Sequence, residues 1–255
     1  MCLIALDHRP GSACPLRLGA NRDEFHARPA APLGVWPDAP EIVGGRDLEA
    51  GGSWLAVHRR GRVAAITNVR DPRLTLPPGA ASRGALVHEA LTCDDLASWL
   101  RGLAGGRAER YPGFNLLAGD GERLWHLHRG RDGVRLRQVP PGLHGLSNAS
   151  LDTPWPKLIA ARQGLAASRH PGCWPEAALA VLSDPPPAAD AQLPETGVGL
   201  AAERRLSPAF IVGQDYGTRA TTWLSWSAAG DIEINERRFG PQGVRLGETR
   251  LRLEP

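Results

Sequence analysis

The chain has a single lysine, Lys157, a single methionine at position 1, and no two cysteines spaced as a pair. Cys2, Cys14, Cys93 and Cys173 form no C-x-x-C unit, so neither a local zinc site nor a redox dithiol is encoded, and no metal is expected. In a reducing compartment they are thiols. No apolar run approaches the roughly 18 residues of a membrane helix, so no membrane span is expected. The opening MCLIALDHRP lacks the basic start of a signal peptide and soon turns polar, which points to a cytoplasmic protein. The net charge of +3 is modest, and arginines alternate with acids along the chain. That pattern provides no basic stripe, so no nucleic-acid partner is expected.

What is present is a succession of short apolar or alternating runs separated by turn residues. MCLIAL, PLRLGAN, SWLAVHRR, RVAAITNV, GFNLLAGD, RLWHLHR, GVRLRQV, TTWLSWS and DIEINER read as strands. Asp120-Gly121 and Asp132-Gly133 fall between consecutive candidates and signal hairpins, hence mostly antiparallel sheets. Helical spacing appears in SRGALVHEAL, DDLASWLRGL, PWPKLIAARQGLAA and WPEAALAVLS, with Asp94 and Thr153 as expected N-caps. This order predicts a layered α+β fold in one domain spanning 1–255. A proline-rich stretch at about 184–197, DPPPAADAQLPETG, reads as a surface loop or lid within it.

Cys2 stands at the lip of a strand that reads as buried. If Met1 is removed, the Cys2 thiol and α-amine share one residue. An α-amine of pKa near 8 then accepts the proton of a thiol of pKa about 8.5 without a histidine partner. The competing reading is a cysteine that merely packs.

Further along, Asn21-Arg22-Asp23-Glu24 places four polar groups where a β-rich core should continue, followed by Phe25, Ala27, Arg28 and Pro29. GGRDLEAGGSWLA (44–56), ITNVRDP (66–72), SRGALV (82–87), GFNLLAGD (113–120), GLSNASLDTPWPK (145–157) and YGTRATT (216–222) come after it. This ordered set resembles the NRDE family, also called the transport and Golgi organisation family. The resemblance implies a fold like the N-terminal nucleophile hydrolases, a four-layer αββα sandwich of two mostly antiparallel sheets between helical layers. It also implies chemistry like that of the penicillin V acylase and bile-salt hydrolase group, with amide C–N cleavage by a cysteine following the initiator methionine.

Carried over by position, Cys2 is the nucleophile and Asp23 anchors its α-amine. Asn68 and Asn148 donate N–H groups to the tetrahedral oxyanion or to the amine. Arg219 buttresses the nucleophile and lowers the thiol pKa. The hydrolases place an arginine three residues before the aspartate, whereas here Arg22 is adjacent to Asp23. In a regular strand Asn21 and Asp23 face one way and Arg22 and Glu24 the other, and a bulge would relax this. Asp23 is expected toward the thiol, with Asn21, Arg22 and Glu24 on the substrate side. The alternative for the motif is a buried salt-bridge network. Trp54 and Trp155 lie within family motifs and are candidates to line a pocket, core packing being the default.

Two functions follow. One is an N-terminal cysteine amidohydrolase that takes a small-molecule N-acyl amide through a thioester and needs no cofactor. The other is a binding or trafficking protein that uses the same pocket for a lipophilic ligand, haem or an acyl-lipid. Other features rank lower. His126 and His128 share a strand face without a third ligand nearby, so a solvated face is expected there. Cys14-Pro15 reads as a loop thiol, and Asp152, with Thr153, as a helix cap.

Overall fold

Every residue of β1 (Cys2–His8) is buried, which a strand achieves only when both of its faces are covered. Alternation sends Ile4 and Leu6 into a core between two sheets, and Leu3 and Ala5 against helix α3 (Pro156–Ala167). The computed structural model describes residues 2–75, 78–170, 172–183 and 187–255.

β1 pairs with β10 (Gly142–Leu146) on one side and β2 (Leu16–Phe25) on the other. The sheet continues through β11 (Tyr216–Trp226), β12 (Ile232–Phe239) and β13 (Arg245–Leu253), six strands in all, each antiparallel to its neighbour. The second sheet is a seven-stranded meander: β3 (Ala30–Trp36), β4 (Ala39–Asp47), β5 (Leu55–His58), β6 (Arg62–Asn68), β7 (Phe114–Gly119), β8 (Leu124–Gly130) and β9 (Gly133–Val139).

Ile4, Leu18, Val43, Val57, Leu117, Leu224 and Ile234 interlock between the sheets, each contributing about 1.5–3 kcal/mol through burial. Helices α1 (Ala85–Thr92) and α2 (Leu96–Ala104) cover the outer face of the seven-stranded sheet through Leu86, Val87, Leu100 and Leu103. α3 and α4 (Glu176–Ser183) cover the six-stranded sheet. The layers run helix, sheet, sheet, helix, as expected. No helix among the described residues is long and apolar enough to cross a membrane.

Four strands and a helix escape the apolar pattern. β3 and β4 carry Pro32, Gly34, Pro40, Gly44 and Gly45, β10 is short, β13 is rich in charge, and α5 (Leu200–Leu206) is barely two turns. Asp95, not Asp94, caps α2, accepting from the Ser98 backbone N–H at 2.6 Å. α3 starts at Pro156 with Trp155 in the cap position, so Thr153 lies too early and its hydroxyl donates to the Ser150 carbonyl. Asp152 does not cap it either. In left-handed backbone (φ 64°), its carboxylate accepts from the Gly145 N–H at 2.9 Å and meets His144 Nδ1 at 2.7 Å. Of the expected proline-rich loop, residues 184–186 lie outside the described residues, and Asp190–Gln192 forms a 3₁₀ turn.

Candidate active site

Cys2 stands directly opposite Arg22 in the β1–β2 ladder, so the two side chains leave the sheet on the same face. That face looks into the space between the sheets, where a cavity of about 480 Å³ opens beside Cys2. The bulge that lets several polar groups converge lies on β11, not on the N-R-D-E segment. Asp23 pairs with Thr218 and Arg22 with Ala220, leaving Arg219 as the extra residue. β2 therefore keeps its alternation and Arg22 shares the ladder position of Cys2, while Asp23 lines the same cavity and acts on the thiol ahead of Arg22.

The remaining predicted residues divide between the two sides of the sheet. Arg22, Asp23, Glu24, Trp54, Asn68 and Arg219 line the cavity with Cys2. Asn21 does not reach it. Its Nδ2 donates to the carbonyls of Leu182 and Ala209 at 2.8 and 2.7 Å, and its Oδ1 accepts from Thr221 at 2.7 Å, so it ties the sheet to the helical layer. Trp155 is also on the helical side, packed with Leu3 and Leu158 under the Arg70 guanidinium, 4.5 Å from its ring centre.

Asn148 stands behind the cavity wall. Its Nδ2 donates to the Asn68 Oδ1 at 2.8 Å and to the Asn68 carbonyl at 3.0 Å. This engages the oxygen end of the Asn68 amide and leaves its NH₂ end as what that side chain offers the cavity.

Burial pushes the Cys2 thiol up, outweighing the opposite pull of the amino-terminal charge, and Asp23 adds to the rise ahead of the smaller opposing pull of Arg22. The net shift is thus upward and not the depression expected from Arg219, whose Nη1 donates to the carbonyls of Phe25 and Arg28 at 2.7 and 3.0 Å. Burial lowers the Arg219 pKa, and neighbouring Arg22 adds to the effect. Asp23 is 1% exposed, its Oδ1 accepts from Thr218 Oγ1 at 2.7 Å, and burial pushes its carboxyl up.

Among the cavity residues absent from the predicted set are Arg83 and Glu236. Arg83 lies close enough for the Cys2 charge to act on it, and its Nη1 donates to the Gly113 carbonyl at 3.1 Å. The chain delivers it there because Gly52 and Gly84 touch backbone to backbone: a Cβ on Gly52 would lie 2.4 Å from the Gly84 carbonyl carbon. Glu236 accepts from the Leu33 N–H at 2.8 Å, and burial raises its pKa. A signal for it existed, since Glu236 follows Ile232 and Ile234 on the inward face of β12, an acid in an apolar register.

Behind Cys2 runs a buried polar chain. Ser147 Oγ donates to the Cys2 carbonyl at 3.1 Å, Thr67 Oγ1 donates to the Ser147 carbonyl at 2.6 Å, and Asn115 Nδ2 donates to Thr67 Oγ1 at 3.1 Å. Asn115 Oδ1 in turn meets His126 Nε2 at 3.1 Å and His128 Nδ1 at 2.7 Å, so each ring donates to it. The expectation of a solvated histidine face is thus overturned, and burial pushes His126 down to about 3, leaving it neutral. No group of three or more His, Cys, Asp or Glu among the described residues is arranged to hold a metal ion.

A family model described as Transport and Golgi organisation 2 matches residues 1–241, a span that contains all seven motifs. The chain belongs to that family. A Bos taurus Transport and Golgi organization protein 2 homolog is 37% identical over 264 residues, covering 93% of this chain and 92% of the relative. The Homo sapiens homolog is 35% identical over 273 residues, covering 98% and 97%. Among solved structures, a Caenorhabditis elegans N-acylethanolamine-hydrolyzing acid amidase ortholog is similar at TM-score 0.44 and 10% identity, covering 81% of this chain and 98% of that one. The C2A mutant of the conjugated bile acid hydrolase from Clostridium perfringens is similar at TM-score 0.48 and 8% identity, covering 98% and 92%.

In this Transport and Golgi organisation 2 family member, the motif that resembles the family name is split by the pleat. Arg22 and Glu24 serve the cavity, Asn21 ties the sheet to the helical layer, and Asp23 lines the cavity while accepting from Thr218 of the next strand. Met1, whose removal the sequence reading requires, lies outside the described residues.

Proposed function

We propose that the protein is an N-terminal cysteine amidohydrolase that cleaves a non-peptide N-acyl amide through a thioester. The observation that carries the reading is the position of Cys2, 7% exposed at the head of a fully buried strand, opening into a charged cavity beside an asparagine amide that a second asparagine orients. Rigid support of this kind is what a nucleophile needs.

With Met1 removed, the free α-amine of Cys2 takes the thiol proton. The sulfur attacks the amide carbonyl carbon, and the negative charge moves to the carbonyl oxygen. The Asn68 NH₂ group donates to that oxyanion, a contribution of about 3–4 kcal/mol when the donor is pre-oriented. Collapse breaks the C–N bond, and the ammonium returns its proton to the leaving amine. Water, deprotonated by the same α-amine, then hydrolyses the thioester. A buried thiol held above its ordinary pKa requires such a base.

A binding role is the second reading, supported by the exposed Leu246 at the cavity mouth and by the transport role in the relatives' names. Treatment with a thiol-directed acylating probe separates the two. The hydrolase reading predicts that Cys2→Ala abolishes labelling while Cys14→Ala keeps it. Equal labelling of both variants, with an acyl-lipid or haem binding well below millimolar, favours the carrier.

A further inference from the structure

The loop between β10 and α3 carries two of the groups that hold the Cys2 site, since Ser147 donates to the Cys2 carbonyl and Asn148 to the Asn68 side chain. Its ends are closed by Asp152, in a left-handed backbone conformation that aspartate adopts more readily than most residues. The Asp152 N–H donates to the Gly145 carbonyl at 2.7 Å, and Asp152 Oδ1 accepts from the Gly145 N–H at 2.9 Å. Asp152 Oδ2 meets His144 Nδ1 at 2.7 Å, and His144 Nε2 lies 2.9 Å from the Pro140 carbonyl. Both partners are acceptors, so the buried His144 ring donates from both nitrogens, as the imidazolium does. Arg162 of α3 adds a longer contact to Asp152 Oδ1 at 3.7 Å. A Cβ on Gly145 would lie 2.7 Å from Leu158 Cδ1, so α3 presses on the same junction.

We propose that His144 and Asp152 form a clasp that fixes this loop and are thereby positioning residues of the Cys2 site. The middle of the loop is held from its other side, where Thr67 and Asn115 donate to the carbonyls of Ser147 and Ala149. Those bonds fix backbone, whereas the directions in which the Ser147 and Asn148 side chains leave depend on where the ends of the loop are set, and the clasp sets them. An exposed histidine–carboxylate pair would contribute little. Here both ring nitrogens and both carboxylate oxygens have partners, the arrangement in which a buried pair holds its geometry. Burial opposes ionisation of Asp152, yet the His144 and Gly145 hydrogen bonds hold its carboxyl below the ordinary value. The positioning role rests on the hydrolase reading, whereas the hold on Asn148 and, through it, on Asn68 stands without it.

Asparagine-selective ¹⁵N labelling reads the clasp without any substrate, because Asn21, Asn68, Asn115, Asn148 and Asn235 are the chain's only asparagines. Asp152→Ala is expected to move the Asn148 and Asn68 side-chain amide signals while those of Asn21 and Asn235 stay in place, and unmoved Asn148 and Asn68 signals overturn the proposal. Asp152→Asn suits the left-handed backbone and keeps an acceptor for the Gly145 N–H but loses the charge facing His144. It serves with the same two outcomes if Asp152→Ala fails to fold. On an amide that acylates Cys2, Asp152→Asn and His144→Ala are each expected to lower kcat about tenfold with KM within about twofold of wild type, as a misplaced donor does. A wild-type kcat in either folded variant refutes the positioning role. Failure of the hydrolase reading shows separately, as no acylation of wild-type Cys2, and the asparagine signals then still decide on the clasp.

Discussion

A protonated thiol in a buried strand is inert until a base and an oxyanion donor stand beside it. Asn68 is the donor this account names, so Asn68→Ala is expected to lower kcat by about 10²–10³ with a smaller change in KM. Steady-state kinetics on an amide that acylates Cys2 measures this. Asn148→Ala acts through Asn68 and is expected to lower kcat less. Glu236 provides a pH test. Its folded pKa lies above the ordinary 4.5 because of burial, so its contribution is fully present below pH 4.5 and is lost as pH rises through the folded value. Glu236→Gln keeps an acceptor for the Leu33 N–H and is expected to raise Tm at pH 8 by a few degrees, the scale of about 1 kcal/mol. Thermal unfolding at pH 4 and pH 8 checks it, and the variant should narrow the difference between them. Arg22, Asp23, Glu24, Trp54, Asn68 and Arg219 were legible in the sequence as site residues because each sits in a motif, and Cys2 because it follows the initiator methionine at the head of an apolar strand. Asn21 and Trp155 were misread because a motif does not show which face of a strand or which layer a side chain joins.

At the level of elements, the strands with apolar runs, such as β1 and β7, were legible, and their layering followed from hairpin signals. β3, β4 and β13 were not, since edge and bulged strands tolerate proline, glycine and charge. The β11 bulge at Arg219 was equally silent, because a bulge changes register without changing composition. Two predictions belong here. Gly52→Ala must push the Gly84 backbone aside and displace Arg83, at a cost of about 1–3 kcal/mol. Chemical denaturation should show the loss, together with weaker labelling of Cys2. Asn115→Ala removes partners from His126, His128 and Thr67 and leaves the Ala149 carbonyl without its donor, and each stranded buried group costs about 1–3 kcal/mol. A destabilisation below about 1 kcal/mol by denaturation would contradict the continuity of the polar chain behind Cys2.

Across the whole molecule, the two sheets bring together Cys2 at one end of the sequence, Arg83 in its first half and Arg219 near its other end. The sandwich itself was readable from periodicity and motif order. The cavity was not, because it arises where the inter-sheet packing gives way to polar side chains from both sheets. The catalytic reading depends on one chemical fact about the chain, the presence of a free α-amine on Cys2. Intact-mass analysis of protein produced with nothing preceding Met1 measures that directly. The account predicts a mass lower by one methionine residue in essentially all molecules, and quantitative retention of Met1 would contradict it.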